Sequence, residues 1–106
     1  MDNRLRGILT ELRSRLERLY GPRLVRMLLY GSQARGDAEP GSDIDVLVVL
    51  EGPVEPCTEI ACTEFDVADV SLEHDVSVAC VFVSDEEYEK GGSPLLLNVR
   101  REGVPV

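Results

Sequence analysis

The first twenty residues have the apolar spacing of an amphipathic helix. Leucine and isoleucine recur three or four residues apart at Leu5, Ile8, Leu9, Leu12, Leu16 and Leu19. Arginine and glutamate fill most of the positions between them, which is the pattern of a helix with one buried face. Gly21 and Pro22 interrupt the pattern and are expected to end the helix.

Three later segments have the composition of β-strands. Residues 24–30 form a mostly apolar run, and residues 75–83 are rich in β-branched residues and alternate in part. Residues 44–50 are β-branched and nearly all apolar, which is typical of a central strand covered on both faces. The sequence therefore predicts a small sheet with residues 44–50 inside it.

Short polar passages and helical segments separate these strands. Ser32 is expected to cap a short helix that reaches Arg35. Residues 56–72 mix helical and alternating periods, and we interpret them as a helix because a crossover is needed there.

Two further helices are predicted after the third strand. Residues 84–87 have a capping-box pattern that opens a short helix. Pro94 stands at a tolerated first-turn position of a helix that reaches Glu102. The order α-β-α-β-α-β-α-α predicts an α/β (α+β) fold, with a small mixed β-sheet flanked by helices in a single domain over residues 1–106.

The charge of the chain indicates which kinds of partner it could bind. The net charge is −9, which argues against direct nucleic-acid binding through a basic patch. Eight of the eleven basic residues lie in residues 1–35, so this part could be a solvated helix face or a surface for an acidic partner. The sequence has no long apolar run, no export signal and no CxxC spacing, so we expect a cytoplasmic protein without a membrane span.

Two carboxylates stand at the mouth of the predicted central strand. Asp43 and Asp45 are two residues apart, so in a strand both side chains leave the same face. Two anions that lie so close repel each other unless a cation neutralises them. Hard divalent cations such as Mg²⁺ prefer oxygen ligands and share phosphate oxygens, so the pair is a candidate metal site.

The turn before these carboxylates is a candidate phosphate site. Gly31 lets the backbone approach a phosphate closely. Backbone N–H groups and the Ser32 hydroxyl can donate to its oxygens, and Arg35 offers a guanidinium group one turn further on. An ion pair within the protein is the alternative role for Arg35.

A third carboxylate could complete the metal site. Asp75 opens the next predicted strand, and on a neighbouring strand it could join Asp43 and Asp45 around one or two metal ions, an arrangement suited to phosphoryl or nucleotidyl transfer. Asp66 and Asp69 compete for this role, and a plain turn aspartate is the alternative for Asp75. His74 is the only histidine; it could act as a base, although an exposed turn residue is the simpler interpretation.

These residues resemble a known signature. Gly31-Ser32, ten intervening residues, and Asp43-Ile44-Asp45 followed by Val46-Leu47-Val48 are similar to the DNA polymerase β-type nucleotidyltransferase superfamily. The form GSQARG…SDID, with SPLLLNVRREGV near the end, resembles its minimal nucleotidyltransferases, which are often antitoxins of HEPN-domain toxins.

The resemblance implies a function and a set of roles. It implies Mg²⁺-dependent transfer of a nucleoside monophosphate, with AMP from ATP as the leading case, to a hydroxyl of a partner protein such as a HEPN toxin. On this analogy Gly31 and Ser32 contact the triphosphate, with Arg35 as a phosphate clamp. Asp43, Asp45 and Asp75 are the catalytic carboxylates, and they hold two metal ions.

Two other functions remain open from the sequence. The chain could instead be a non-catalytic antitoxin that masks its partner by binding, and the uncertain third carboxylate favours this. Nucleotidylation of a small molecule is disfavoured, because similar enzymes of that kind carry an additional helical domain. The short chain predicts that another molecule supplies the acceptor surface, or that the protein self-associates.

Overall fold

The computed structural model describes residues 2–106, and it begins with the predicted helix. Helix α1 spans Asn3–Tyr20, and the carboxylate of Asp2 caps it by accepting a hydrogen bond from the backbone N–H of Leu5 at 2.7 Å. The apolar stripe is buried except for Leu19, which is 45% exposed. The prediction of an amphipathic first helix is therefore confirmed.

The other elements follow the predicted order with one addition. In chain order they are a 3₁₀ turn at Gly21–Arg23, β1 (Leu24–Tyr30), α2 (Ser32–Arg35), β2 (Ile44–Leu50), α3 (Pro56–His74), β3 (Val78–Ser84), α4 (Asp85–Lys90), α5 (Pro94–Glu102) and β4 (Val104–Pro105). The short strand β4 was not predicted. None of the described helices has the length and apolar character that crossing a membrane requires.

The four strands form one mixed sheet in the order β3-β2-β1-β4. Strand β2 pairs antiparallel with β1 and parallel with β3, and β4 pairs antiparallel with β1. Helix α3 is the crossover that the parallel pair requires. The small mixed sheet flanked by helices is therefore confirmed, with β2 as an inner strand.

Each face of the sheet carries its own core. Alternate residues of β2 point to opposite faces, and Ile44, Val46, Val48 and Leu50 pack with the buried stripe of α1. Leu47 and Val49 pack on the other side with Leu96 and Val99 of α5. We call these the α1 face and the α5 face.

The start of the third strand was predicted wrongly. Helix α3 continues to His74, and Asp75 is its C-cap, in the left-handed conformation with φ 52°. Strand β3 begins only at Val78. Aspartate tolerates this left-handed conformation better than most residues, so Asp75 ends a helix and does not open a strand.

Ionic contacts join α3 to α1, and they involve Asp66 and Asp69, the two alternatives to Asp75 as a third carboxylate. Arg15 of α1 pairs with Asp66 at 3.1 Å and with Asp69 at 2.5 Å. The Nε2 atom of His74 lies 2.6 Å from a carboxylate oxygen of Glu11. These contacts place Asp66, Asp69 and His74 in the packing between two helices.

Candidate functional site

Asp45 lies in the first part of β2, on the α5 face. Its Cα partners are Tyr30 on β1 and Ala79 on β3, and its side chain shares a face with Leu47, two residues along the same strand. Asp43 lies just before the strand, two residues from Asp45. The backbone N–H of Ile44 donates to the carbonyl of Ser77 at 2.8 Å, so the pairing with β3 begins there.

The turn at Gly31 lies directly against the Asp45 carboxylate. A Cβ atom built on Gly31 would lie 2.5 Å from Oδ2 of Asp45, closer than real Cβ contacts allow. Gly31 also has φ 77°, a conformation that glycine adopts without the steric penalty of a side chain. Both facts require glycine at this position, and they allow the turn to approach the carboxylate closely.

Burial and two neighbouring charges set the electrostatics of Asp45. Burial raises the pKa of Asp45, the negative charge of Asp43 raises it further, and the charge of Arg35 partly offsets this. Burial and the charge of Asp45 also raise the pKa of Tyr30, which the sequence analysis did not include in the site. A cation between the aspartates would relieve their repulsion, so the donor set fits a hard divalent ion.

The pKa of Asp45, raised by burial and by the charge of Asp43, predicts a pH effect on folding. Because the pKa of Asp45 is raised in the folded protein, the folded state holds its proton to higher pH than the unfolded chain does. The destabilising contribution therefore grows as the pH rises through the unfolded and then the folded pKa. We expect Asp45→Asn to raise the thermal midpoint of the metal-free protein at pH 7 more than at pH 4. A gain that is larger at pH 4, measured by thermal melting, would contradict this.

Asp75 does not form a close group of three ligand side chains with Asp43 and Asp45. It is exposed and lines a cavity of about 250 Å³ with Ile8 and Ile44, which belong to the α1 face, and with Ser42, the residue before Asp43. A metal ion could be held by three acidic, histidine or cysteine side chains whose ligand atoms lie within 4.8 Å of one another. Among residues 2–106, Glu11, Glu73 and His74 form such a group. The triad of Asp43, Asp45 and Asp75 does not form such a group.

The sheet register shows where a third carboxylate would have to stand. Residues paired in register on adjacent parallel strands point to the same face. Ala79 therefore lies beside Asp45, and Ser77 lies next to the start of the pairing near Asp43. Neither residue carries a carboxylate, so strand β3 contributes no acid beside the pair. The sequence could not show this, because it does not reveal the register.

Arg35 makes ion pairs within the protein. It donates to Glu102 at 3.0 Å and to Asp37 at 3.2 Å. Glu102 also accepts a hydrogen bond from the backbone N–H of Gly31 at 3.3 Å. The sequence analysis missed Glu102, although its resemblance to a family extended to the segment that contains it. Ser32, predicted as the cap of α2, is instead its first residue, because Gly31 is the N-cap.

Comparisons with known proteins identify the family of the chain. Residues 9–96 match the family model described as a nucleotidyltransferase domain. A search of curated proteins found no significant match. A solved structure described as a minimal nucleotidyltransferase is 30% identical, with a TM-score of 0.66, over 100% of this chain and 97% of the other.

Two toxin–antitoxin structures share the fold. One, a complex with AMP-PNP, is 19% identical with a TM-score of 0.65, over 98% of this chain and 72% of the other. The second is a tri-AMPylated HEPN toxin of Shewanella oneidensis with its MNT antitoxin, and the match is 17% identical with a TM-score of 0.53, over 92% of this chain and 70% of the other. At these identities the likeness concerns the fold alone. From the family model and the 30% identical structure, the chain belongs to the nucleotidyltransferase domain family and is similar within it to the minimal nucleotidyltransferases.

Proposed function

We propose that the chain transfers a nucleoside monophosphate, AMP from ATP in the leading case, to a hydroxyl of a partner protein in a Mg²⁺-dependent reaction that releases pyrophosphate. The observation that carries the proposal is the contact between the Gly31 turn and the Asp45 carboxylate, with Asp43 beside it. A phosphate-binding turn and a pair of metal-binding carboxylates must adjoin for this chemistry.

The residues of the site have distinct proposed roles. Asp43 and Asp45 would hold Mg²⁺, and Gly31 and Ser32 would contact the triphosphate. The metal ion, when bound, would neutralise phosphate charge during transfer. Tyr30, half-buried beside Asp45, would shield one side of the pair from water. The proposal rests on two carboxylates of this chain, because Asp75 does not form a close group with them.

The partner is proposed from the structural relatives. One related structure is described as an MNT antitoxin with a tri-AMPylated HEPN toxin, and we propose a HEPN-type or other small helical protein as the acceptor here. The chain would act as one domain over residues 1–106 in the cytoplasm, and the acceptor surface would come from the partner.

A second candidate function is masking of the partner without catalysis. Two observations favour it: Ala79 and Ser77 leave β3 without an acid beside the pair, and Arg35 is engaged by Glu102 and Asp37. A masking antitoxin would need the fold and the docking surface, and the metal site would be dispensable.

Label transfer separates the two functions. ATP labelled in its α-phosphate is incubated with the chain, Mg²⁺ and a partner protein, which is first identified by its co-purification with the chain. The enzymatic proposal predicts label on the partner that depends on both Mg²⁺ and the chain. If the chain inhibits the partner without ATP and transfers no label to it, the result would favour masking.

Placing an acid at Ala79 tests where the cation binds. A carboxylate beside Asp45 adds repulsion in the metal-free protein and adds a ligand when a cation is present. We therefore expect Ala79→Asp to lower the thermal midpoint without Mg²⁺ and to enlarge the rise that Mg²⁺ produces. Ala61→Asp on exposed α3 is the control, and it should not enlarge the Mg²⁺ effect. An equal Mg²⁺ effect in wild type and Ala79→Asp would contradict the predicted cation position.

A further inference from the structure

One side chain joins the end of the chain to the predicted phosphate-binding turn. Glu102 is the last residue of α5. One of its carboxylate oxygens accepts from the backbone N–H of Gly31 at 3.3 Å, and the other accepts from the guanidinium of Arg35 at 3.0 Å. A single carboxylate therefore holds both the N-cap and the last residue of α2.

The contact with Gly31 continues the sheet ladder. Strand β4 pairs antiparallel with β1, and Leu29 is opposite Val104. Extending this register by two residues places Gly31 opposite Glu102, at a point where the strand pairing has ended. The Glu102 side chain thus supplies the acceptor that the Gly31 N–H would otherwise lack in the ladder.

The bond to Arg35 is charge-assisted. The Arg35 bond, followed by the Gly31 N–H, lowers the pKa of Glu102 below its usual value, so the carboxylate is ionised at neutral pH. The side chain of Glu102 is 19% exposed, whereas that of Arg35 is 47% exposed. The partly buried carboxylate is therefore the fixed member of the pair, and Arg35 is oriented by it.

Gly31 is held from two sides by these contacts. The Asp45 carboxylate lies where a side chain on Gly31 would begin. Glu102 accepts a hydrogen bond from the backbone N–H of Gly31 on the side of the turn that faces β4. A small displacement of the turn would alter its distance from Asp45, and the groups of a binding site must be held within about 0.5 Å of the productive geometry.

We infer that Glu102 is a positioning residue that fixes the Gly31 turn beside Asp45 and thereby sets the affinity for the nucleoside triphosphate. The inference rests on the proposed function. Glu102 need not touch the substrate for this role, since it acts through Gly31 and Arg35. The opposing hypothesis is that Glu102 competes with phosphate for these donors, and it makes the opposite prediction about affinity.

Nucleotide binding distinguishes the two hypotheses. We expect Glu102→Ala to weaken binding of Mg²⁺–AMP-PNP about tenfold, which corresponds to the loss of one charge-assisted hydrogen bond. Glu102→Gln should weaken it less, because an amide oxygen can still accept from Gly31. Glu86→Ala is the control, since its ion pair with Lys90 is exposed and lies on α4.

Kinetics and hydrogen exchange separate positioning from general loss of structure. In label transfer, Glu102→Ala should raise KM for ATP about tenfold and change kcat by less than about threefold, since the loss is one of nucleotide binding. Amide exchange at Gly31 should become faster in Glu102→Ala, while the N–H of Val106, which donates to Met27 in the adjacent ladder, stays protected.

The possible results are decisive. If Glu102→Ala binds nucleotide as well as wild type does, or more tightly, the positioning role is overturned, whatever the transfer assay shows. If wild type itself binds no nucleotide, the proposed function fails and the inference fails with it. If Glu102→Ala does not fold, Glu102→Gln decides: weakened binding with wild-type melting supports the role, and unchanged binding overturns it.

Discussion

Asp43→Asn is expected to reduce transfer of label from ATP to the partner by about 100-fold or more. A metal ion supplies several kcal/mol of charge stabilisation in such reactions, and each 1.4 kcal/mol is about tenfold in rate. The variant should fold normally, because removal of one of two neighbouring anions relieves repulsion in the metal-free protein. Label transfer, with circular dichroism and thermal melting of the same preparations, provides the measurement.

Asp85→Asn is the matched control for this variant. Asp85 opens α4 after the far end of β3, and its carboxylate accepts from the N–H of Glu86, which an asparagine oxygen can also do. This variant should transfer label at the wild-type rate. An Asp43→Asn protein that melts far below wild type would assign a structural role to Asp43, and one with full transfer activity would remove it from the chemistry.

Gly31→Ala is expected to destabilise the fold and to abolish nucleotide binding. A methyl group there meets Oδ2 of Asp45 at 2.5 Å, and the backbone is at φ 77°. The combination of φ 77° and ψ −158° is open almost only to glycine and costs about 1–3 kcal/mol for a residue with a Cβ, and forced contacts add about 1–3 kcal/mol. Denaturant unfolding measures the loss of stability, and Mg²⁺–AMP-PNP titration measures the loss of binding.

Gly36→Ala is the comparison at a positive-φ glycine of the same segment, in the left-handed region with ψ 13°, where the added methyl group has open space. Gly36 has φ 81°, and a Cβ there meets no heavy atom within 4 Å. It should lose only the conformational part of the stability and retain nucleotide binding. Equal losses of stability and binding in the two variants would show that the contact between Gly31 and Asp45 has no special role.

Local sequence patterns predicted most of the fold. The apolar spacing of α1, the capping serines at Ser84 and Ser93, and the apolar run of β2 each reflect interactions between residues close in sequence. The crossover helix over α3 had a weak pattern, because much of its surface is exposed: Phe65 is 78% exposed and Leu72 is 82% exposed. The helix was assigned because a crossover is needed between the two strands that it connects, and the periodicity of its sequence did not indicate it.

Features that depend on distant contacts could not be predicted. Whether Asp75 ends a helix or begins a strand is decided by the packing of α3, and a shift of three residues moved it out of the strand. The pairing of Asp45 with Ala79 required the register of β3. The bond between Gly31 and Glu102 joins residues 71 positions apart in the sequence, and no local pattern indicates it.

The central claim is that Asp43 and Asp45 hold a divalent cation beside the Gly31 turn. A crystal structure of the protein with Mn²⁺ and AMP-PNP tests it most directly, because manganese is located by its anomalous scattering. We predict a manganese peak within coordination distance of both carboxylates, with the triphosphate against Gly31 and Ser32. Manganese bound elsewhere, for example at Glu11, Glu73 and His74, with no peak at the aspartate pair, would contradict the account.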